Sequence, residues 1–181
     1  IRAGWLKESG LLAKGLLALQ RNFYKRCDAI VVLDKHMQEL LQKKGVVSQR
    51  LHIIPLWWNS HVFNADTGVI ASFKERIGVR DQAVVMYSGN HSLCHPLTAM
   101  SEAALLLREE KNILFICAGG GSRCAEVREF ARKHELSNVI QIPHQPREEL
   151  PGLLGAADIH VVSCGDDFVG VVHPSKVYPF L

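Results

Sequence analysis

Ala83-Val-Val-Met-Tyr-Ser-Gly-Asn-His91 and Ile113-Leu-Phe-Ile-Cys-Ala-Gly-Gly-Gly121 decide the fold. Ala83 to Tyr87 and Ile113 to Ala118 read as strands, each apolar run followed closely by glycine. Each leads into a stretch with helical spacing, Leu97 to Glu110 behind Pro96 and Ser122 to His134. Apolar runs bounded by turn residues fit strands buried on both faces, and a helix between two of them makes their pairing parallel. Further on, Val139 to Ile142 reads as a strand and Arg147 to Ala157 as a helix broken near Pro151-Gly152. Asp158 to Ser163 reads as a strand, and Pro174 to Leu181 as the start of a helix. In the other direction, Leu12, Leu16, Leu19 and Phe23 predict an amphipathic helix within Trp5 to Tyr24. Ala29 to Leu33 is a strand, Asp34 a helix cap, and Lys35 to Lys44 a helix stopped by Gly45. Leu51 to Leu56 is a strand ending at Trp57-Trp58-Asn59. Ser60 to Arg80 is a connector with a short helical stretch at Ser72 to Ile77. The alternation is that of an α/β fold with a parallel sheet and right-handed crossovers.

The chain has 181 residues, 48% of them hydrophobic and 22% charged, which excludes a disordered chain and allows a sizeable core. Lys+Arg 21 against Asp+Glu 18 leaves a net charge of +3, without the clustering a nucleic-acid partner requires. Cys27, Cys94, Cys117, Cys124 and Cys164 form no C-x-x-C pair and are expected as free thiols in a reducing cytosol, with Cys117 and Cys164 in buried strands. Lys14 interrupts the longest Leu-rich run, so no membrane span is expected, and no signal peptide is recognised. The start at Ile1 and the stop at Leu181 within an expected helix suggest a piece of a larger protein.

In open parallel sheets, ligands bind beyond the carboxyl ends of the strands. Three loops belong there: Ser88 to His95, Gly119 to Ser122, and Gly165 to Lys176. The first two set small residues before a helix, where free N–H groups favour phosphate; the alternative is that glycine only makes the turns possible. Gly119-Gly120-Gly121 with Cys124 gives G-x-G-x-x-C, and no acid follows the next strand, which disfavours a nicotinamide dinucleotide. No Gly-Lys-Ser/Thr occurs, so a P-loop is absent.

Taken in order, Asp28-Ala-Ile-Val-Val-Leu-Asp34, Leu51-His-Ile-Ile-Pro55, Val85-Met-Tyr-Ser-Gly-Asn-His91, Leu114-Phe-Ile-Cys-Ala-Gly-Gly-Gly121, Ala157-Asp-Ile-His-Val-Val162 and Phe168-Val-Gly170 resemble the glycosyltransferases of family 4. The similarity is greatest to the bacterial exopolysaccharide and lipopolysaccharide subgroup with a Pro-Ser-Lys element. The resemblance implies a GT-B fold, built on Rossmann-like sheets, and transfer of a sugar with retention from a nucleotide-diphosphate donor to a glycan or lipid-linked acceptor. It makes residues 1–59 the end of an N-terminal acceptor-binding domain and 60–79 a connector. Residues 80–181 become a truncated C-terminal nucleotide-sugar-binding domain.

The resemblance also implies roles. Gly89, Asn90, His91 and His95 would lie along the donor diphosphate, with Asn90 and His95 standing where the family has Arg and Lys. Gly120 and Gly121 would border the same site, and the backbone of His144 and Gln145 would read the nucleobase. The family's E-x7-E signature falls on Asp167 and Ser175, the first meeting hexose hydroxyls and the second the ribose. The N–H groups of Phe168, Val169 and Gly170 would face the sugar, and Lys176 would stabilise the leaving diphosphate. No D-x-D motif occurs, so no metal or other cofactor is expected; Asp166-Asp167 is only an adjacent pair. The implied location is the cytoplasm, at the inner face of the membrane if the acceptor is lipid-linked.

Plainer readings stand beside these. His91 and His95 are set four apart in a loop with Pro96, a poor metal pair. His160 is expected as a core histidine, His173 as a loop residue or a phosphate contact, and Trp57-Trp58 as packing rather than an acceptor wall. The Leu-rich helix is expected to pack on its own sheet, the front of which is missing from this chain, with peripheral membrane association as the second reading. For the whole, the alternatives are a non-catalytic nucleotide- or partner-binding module and, third, a nucleotide-sugar epimerase.

Overall fold

The computed structural model describes residue 7 and residues 9–57 and 66–180. Trp5, Trp58, Asn59 and Leu181, with the connector positions through 65, lie outside them. The chain divides into two compact units, Ile1–Trp57 with Cys164–Ser175, and Trp58–Ser163 with Lys176–Leu181.

In the first unit, α1 (Leu11–Arg26) precedes β1 (Ile30–Val32), α2 (Lys35–Lys43) and β2 (Leu51–Ile53). The strands pair in parallel, Ile30 opposite Leu51 and Val32 opposite Ile53. Asp34 caps α2 by accepting the Met37 N–H at 2.7 Å, and Gly45, at φ 90°, ends it as only glycine does without strain. Val32, Val46 and Leu51 form a small core with Tyr24, Ile30, Met37 and Leu41 packed on it. On α1, Leu12, Leu16, Leu19 and Phe23 are exposed, and Ala13 is the buried residue of the helix.

The second unit is a four-stranded parallel sheet in the order β5-β4-β3-β6, from β3 (Ala83–Ser88), β4 (Ile113–Ala118), β5 (Val139–Ile142) and β6 (Ile159–His160). The helices are α3 (Thr67–Arg76), α4 (Thr98–Leu106), α5 (Cys124–Lys133) and α6 (Leu150–Gly155). Alternation along the strands supplies two cores. Val84, Met86, Leu114 and Ile116 pack with Phe73 of α3 and Leu153 of α6. Tyr87, Phe115 and Cys117 pack with Met100 and Ala104 of α4 and Val127 of α5. Burial on both sides explains why these strands read as continuous apolar runs. Strand order reverses direction between β3 and β6, which makes the carboxyl ends of these two strands the switch point.

Three expectations are corrected. The strand expected over Asp158 to Ser163 shortens to Ile159–His160, because β6 is an edge that pairs only with β3, and Cys164 therefore lies outside any strand. The helix over Arg147 to Ala157 is not broken at Pro151-Gly152. A 3-10 turn, Arg147–Glu149, runs into α6 with Pro151 in its first turn, where a missing N–H costs nothing. Gly152 is there for packing, since a Cβ would sit 3.0 Å from that of Phe73. The last helix is a 3-10 helix, Ser175–Phe180. Among the described residues, no helix is long and apolar enough to cross a membrane.

Candidate functional site

At the carboxyl edge of β3 and β4, two loops are laced by their own backbones. Gly89 N–H donates to Ala118 at 2.8 Å, His91 N–H to Gly120 at 2.7 Å, and Arg123 N–H to His91 at 3.1 Å. Gly89, Gly119 and Gly121 hold φ of 139°, 127° and 136°. A Cβ on Gly119 would overlap the Gly89 carbonyl, and one on Gly121 would overlap the His91 carbonyl and Asn90 Oδ1. Glycine at these positions allows the loops to touch. Gly120 is different: it is exposed, and a Cβ there would meet open space.

Lys176 lies across Gly89. Its Nζ donates to the Tyr87 hydroxyl at 3.0 Å and stands 4.8 Å from the ring centroid, while that hydroxyl donates to the Asn90 carbonyl at 2.8 Å. Burial, then the neighbouring Cys117 and Cys124, pushes the Tyr87 phenol up to about 12, so it remains a neutral acceptor for the ammonium. Burial also pushes Lys176 below its ordinary value. No carboxylate pairs with this half-buried cation among the described residues. A half-buried cation held by a phenol at a strand end, without a carboxylate partner among the described residues, has the chemistry to pair with an anion.

His91 is buried, with Nδ1 2.9 Å from Cys124 Sγ and its ring 5.2 Å from that of Tyr87; Nε2 has no partner among the described residues. Burial, then the charge of Lys176, lowers its pKa, so its imidazole is neutral at neutral pH. His95 Nδ1 donates to the Ser163 carbonyl at 2.7 Å, joining the β3 loop to the segment after β6. His144 and Gln145 sit separately after β5, where Gln145 Nε2 donates to the Pro143 carbonyl at 2.9 Å. The pKa of His160, half-buried on β6, is lowered by burial, opposed by the hydrogen bond its ring donates to the Leu154 backbone.

In the first unit, Asp167, Phe168, Val169, Gly170 and Ser175 share one loop, with Asp167 and Ser175 exposed. A 3-10 turn, Asp166–Phe168, already uses two of its amides: Phe168 N–H donates to Gly165 at 2.8 Å and Val169 N–H to Asp166 at 3.3 Å. His173 Nδ1 donates to Asp34 Oδ2 at 2.6 Å. Burial opposes ionisation of Asp34, but the Met37 N–H and then His173 outweigh it and hold the carboxyl below its ordinary 3.8. A depressed carboxylate contributes stability that is present above the unfolded value and is lost as pH falls through the folded one. The urea midpoint of the parent chain should therefore exceed that of Asp34→Asn near neutral pH, with the gap closing in acid. A pH-independent gap would contradict the charge-based origin.

The sequence reading gave Tyr87 only a strand and Asp34 only a cap. Tyr87's partner is 89 positions away and Asp34's is 139, and periodicity carries no signal of such pairings. Among the described residues, no group of three or more His, Cys, Asp or Glu could hold a metal ion.

This architecture is that of GT-B glycosyltransferase structures. The chain superposes on Anabaena Alr3699/HepE, solved with UDP-glucose, with a TM-score of 0.74 at 14% identity over 84% of the chain and 43% of that protein. It superposes on WaaG, a glycosyltransferase involved in lipopolysaccharide biosynthesis, with a TM-score of 0.70 at 17% identity over 89% and 45%. In sequence it is 27% identical over 175 residues to WcaI of Escherichia coli (strain K12), whose name assigns it to colanic acid biosynthesis as a glycosyl transferase. That match covers 94% of this chain and 42% of WcaI, so the chain spans less than half the length of these relatives. No family model matches.

Proposed function

We propose that this chain carries the nucleotide-sugar-binding part of a retaining glycosyltransferase of family 4 type. The intact enzyme would build a polysaccharide at the cytoplasmic side of the membrane, on a glycan or lipid-linked acceptor. The observation that carries this reading is Lys176, a half-buried ammonium held over Gly89 by a neutral tyrosine with no carboxylate partner among the described residues. Departure of a nucleoside diphosphate from the anomeric carbon puts negative charge on phosphate oxygens, and a fixed ammonium stabilises that charge without a divalent ion. Similarity to WcaI, and the UDP and UDP-glucose in the HepE structures, support a nucleotide-sugar donor. In this reading Asp167 accepts the hexose hydroxyls, Ser175 the ribose, and the loop at His144 and Gln145 meets the base.

Calorimetric titration with UDP, GDP and dTDP tests the reading. One nucleotide should bind saturably, and Lys176→Ala should weaken it by about tenfold or more, as for loss of a hydrogen bond to a charged group. A folded chain that binds none of them sinks the reading. Asn90 and His95, standing where the family has Arg and Lys, favour a second one, a non-catalytic nucleotide-binding module. Nucleotide binding without donor hydrolysis or transfer by the full-length protein would select it. Interconversion of two nucleotide sugars would instead indicate an epimerase.

A further inference from the structure

The first unit holds a groove at the opposite edge of its strands from the one where parallel sheets take ligands. α1 ends at Arg26 ahead of β1, and a 3-10 turn, Ser48–Arg50, leads into β2, so the groove between them lies at the amino ends of both strands. It measures about 460 Å³ and is lined by residues of this unit alone, among them Arg21, Tyr24, Lys25, Lys44, Val46 and Arg50. No Asp or Glu lines it among the described residues. Arg50 Nη1 donates to the Lys25 carbonyl at 2.9 Å and the Cys27 carbonyl at 3.2 Å, which fixes the guanidinium and leaves its other nitrogens unengaged among the described residues. Lys44 Nζ donates to Gln20 Oε1 at 3.2 Å, and Gln20 Nε2 to the Tyr24 hydroxyl at 2.9 Å, which ties that ammonium to the groove wall. Arg21 and Lys25 are both exposed on one face of α1, and no carboxylate pairs with either among the described residues. Like charges four apart on a helix repel. Folding thus gathers four cations around one concavity without an acid on its walls, a repulsion that a bound anion relieves. The exposed stripe of Leu12, Leu16, Leu19 and Phe23 lies roughly half a turn around α1 from Arg21 and Lys25, so a flat apolar surface against the stripe would not reach the groove.

We propose that this groove is a binding site for a phosphate ester with at least two negative charges, a phosphomonoester or a diphosphate. A single exposed ion pair contributes little, so a monovalent anion would not be held. Charged oxygens that reach Arg21, Lys25, Lys44 and Arg50 together are held by several charge-assisted hydrogen bonds at once. Tyr24 and Val46 supply an apolar wall for the carbon skeleton of the ester. The site is independent of the donor-binding reading: it uses none of the residues assigned there, and it stands in a different unit from Lys176.

The test follows the backbone amides of the 181-residue chain by NMR during titration with pyrophosphate, with sodium chloride at matched ionic strength as the control. Lys176→Ala is the background, so that phosphate binding beside Gly89 does not contribute. Arg21→Gln combined with Lys25→Gln removes two exposed cations, and an unchanged amide spectrum away from the groove shows that the fold is kept. Pyrophosphate should shift the amides of Gly45, Val46 and Val47 saturably, and the double substitution should weaken that binding by about tenfold or more. Vesicles containing phosphatidic acid, set against phosphatidylcholine alone, separate the two sources of such a phosphate. Pyrophosphate shifts without vesicle binding mark a soluble ester, whereas vesicle binding that the double substitution abolishes marks a lipid headgroup. The proposal is overturned if neither probe binds, if chloride reproduces the shifts, or if the double substitution leaves binding as tight as in the background chain.

Discussion

Gly119→Ala is expected to destabilise the chain by about 3 kcal/mol, near the upper end for a strained backbone combined with overpacking. The residue sits at φ 127°, where L side chains are rare, and its Cβ would overlap the carbonyl of Gly89. A carbonyl in the backbone cannot rotate away as a side chain can. The two loops would have to separate, breaking the bonds from Gly89 to Ala118 and from His91 to Gly120. Gly120→Ala is the control, because its Cβ would meet nothing within 4 Å. It should change stability by less than about 0.5 kcal/mol. Urea denaturation of the two variants checks both values. If they behave alike, the close approach of the loops is not what requires glycine.

The second large effect is in the sheet. Ile116, fully buried in β4 between β3 and β5, should cost about 3–4 kcal/mol when cut to alanine, from lost burial and the cavity left behind. Ile53 on β2 is 42% exposed, and the same truncation there should cost less than about 1 kcal/mol. Denaturation followed separately in each unit, for example by amide exchange, would show whether the Ile116 effect stays in the second unit. Comparable losses at the two positions would contradict the observed distribution of burial.

How far the sequence could be read depends on what bounds each element. β4 and β5 begin and end where the pattern places them, because polar or turn residues flank an apolar run at both ends. β6 fell short because an apolar pattern does not show that a strand lies at an edge. Gly152 looked like a helix breaker because sequence alone does not reveal that Phe73 presses against it. The stripe on α1 was legible as a stripe, but amphipathicity does not specify what covers it. At the candidate site, strand ends followed by glycine marked the carboxyl edge. The pairings there could not be read, since Lys176 with Tyr87, His91 with Cys124 and Asp34 with His173 join distant segments without a periodic trace.

The assignment of Cys164–Ser175 to the same unit as α1, β1, α2 and β2 bears on how the polypeptide matures on the ribosome. Domains ordinarily complete themselves in the order of their synthesis. Here the first unit emerges first and must wait, because His173, which closes its clasp on Asp34, is translated 139 residues later. The second unit has its four strands in hand by His160 and can condense around them before that clasp exists. Nascent chains stalled before His173 would thus carry all four described strands of that sheet while Asp34 still lacks this partner, and closing a loop of that length makes the pairing a late event.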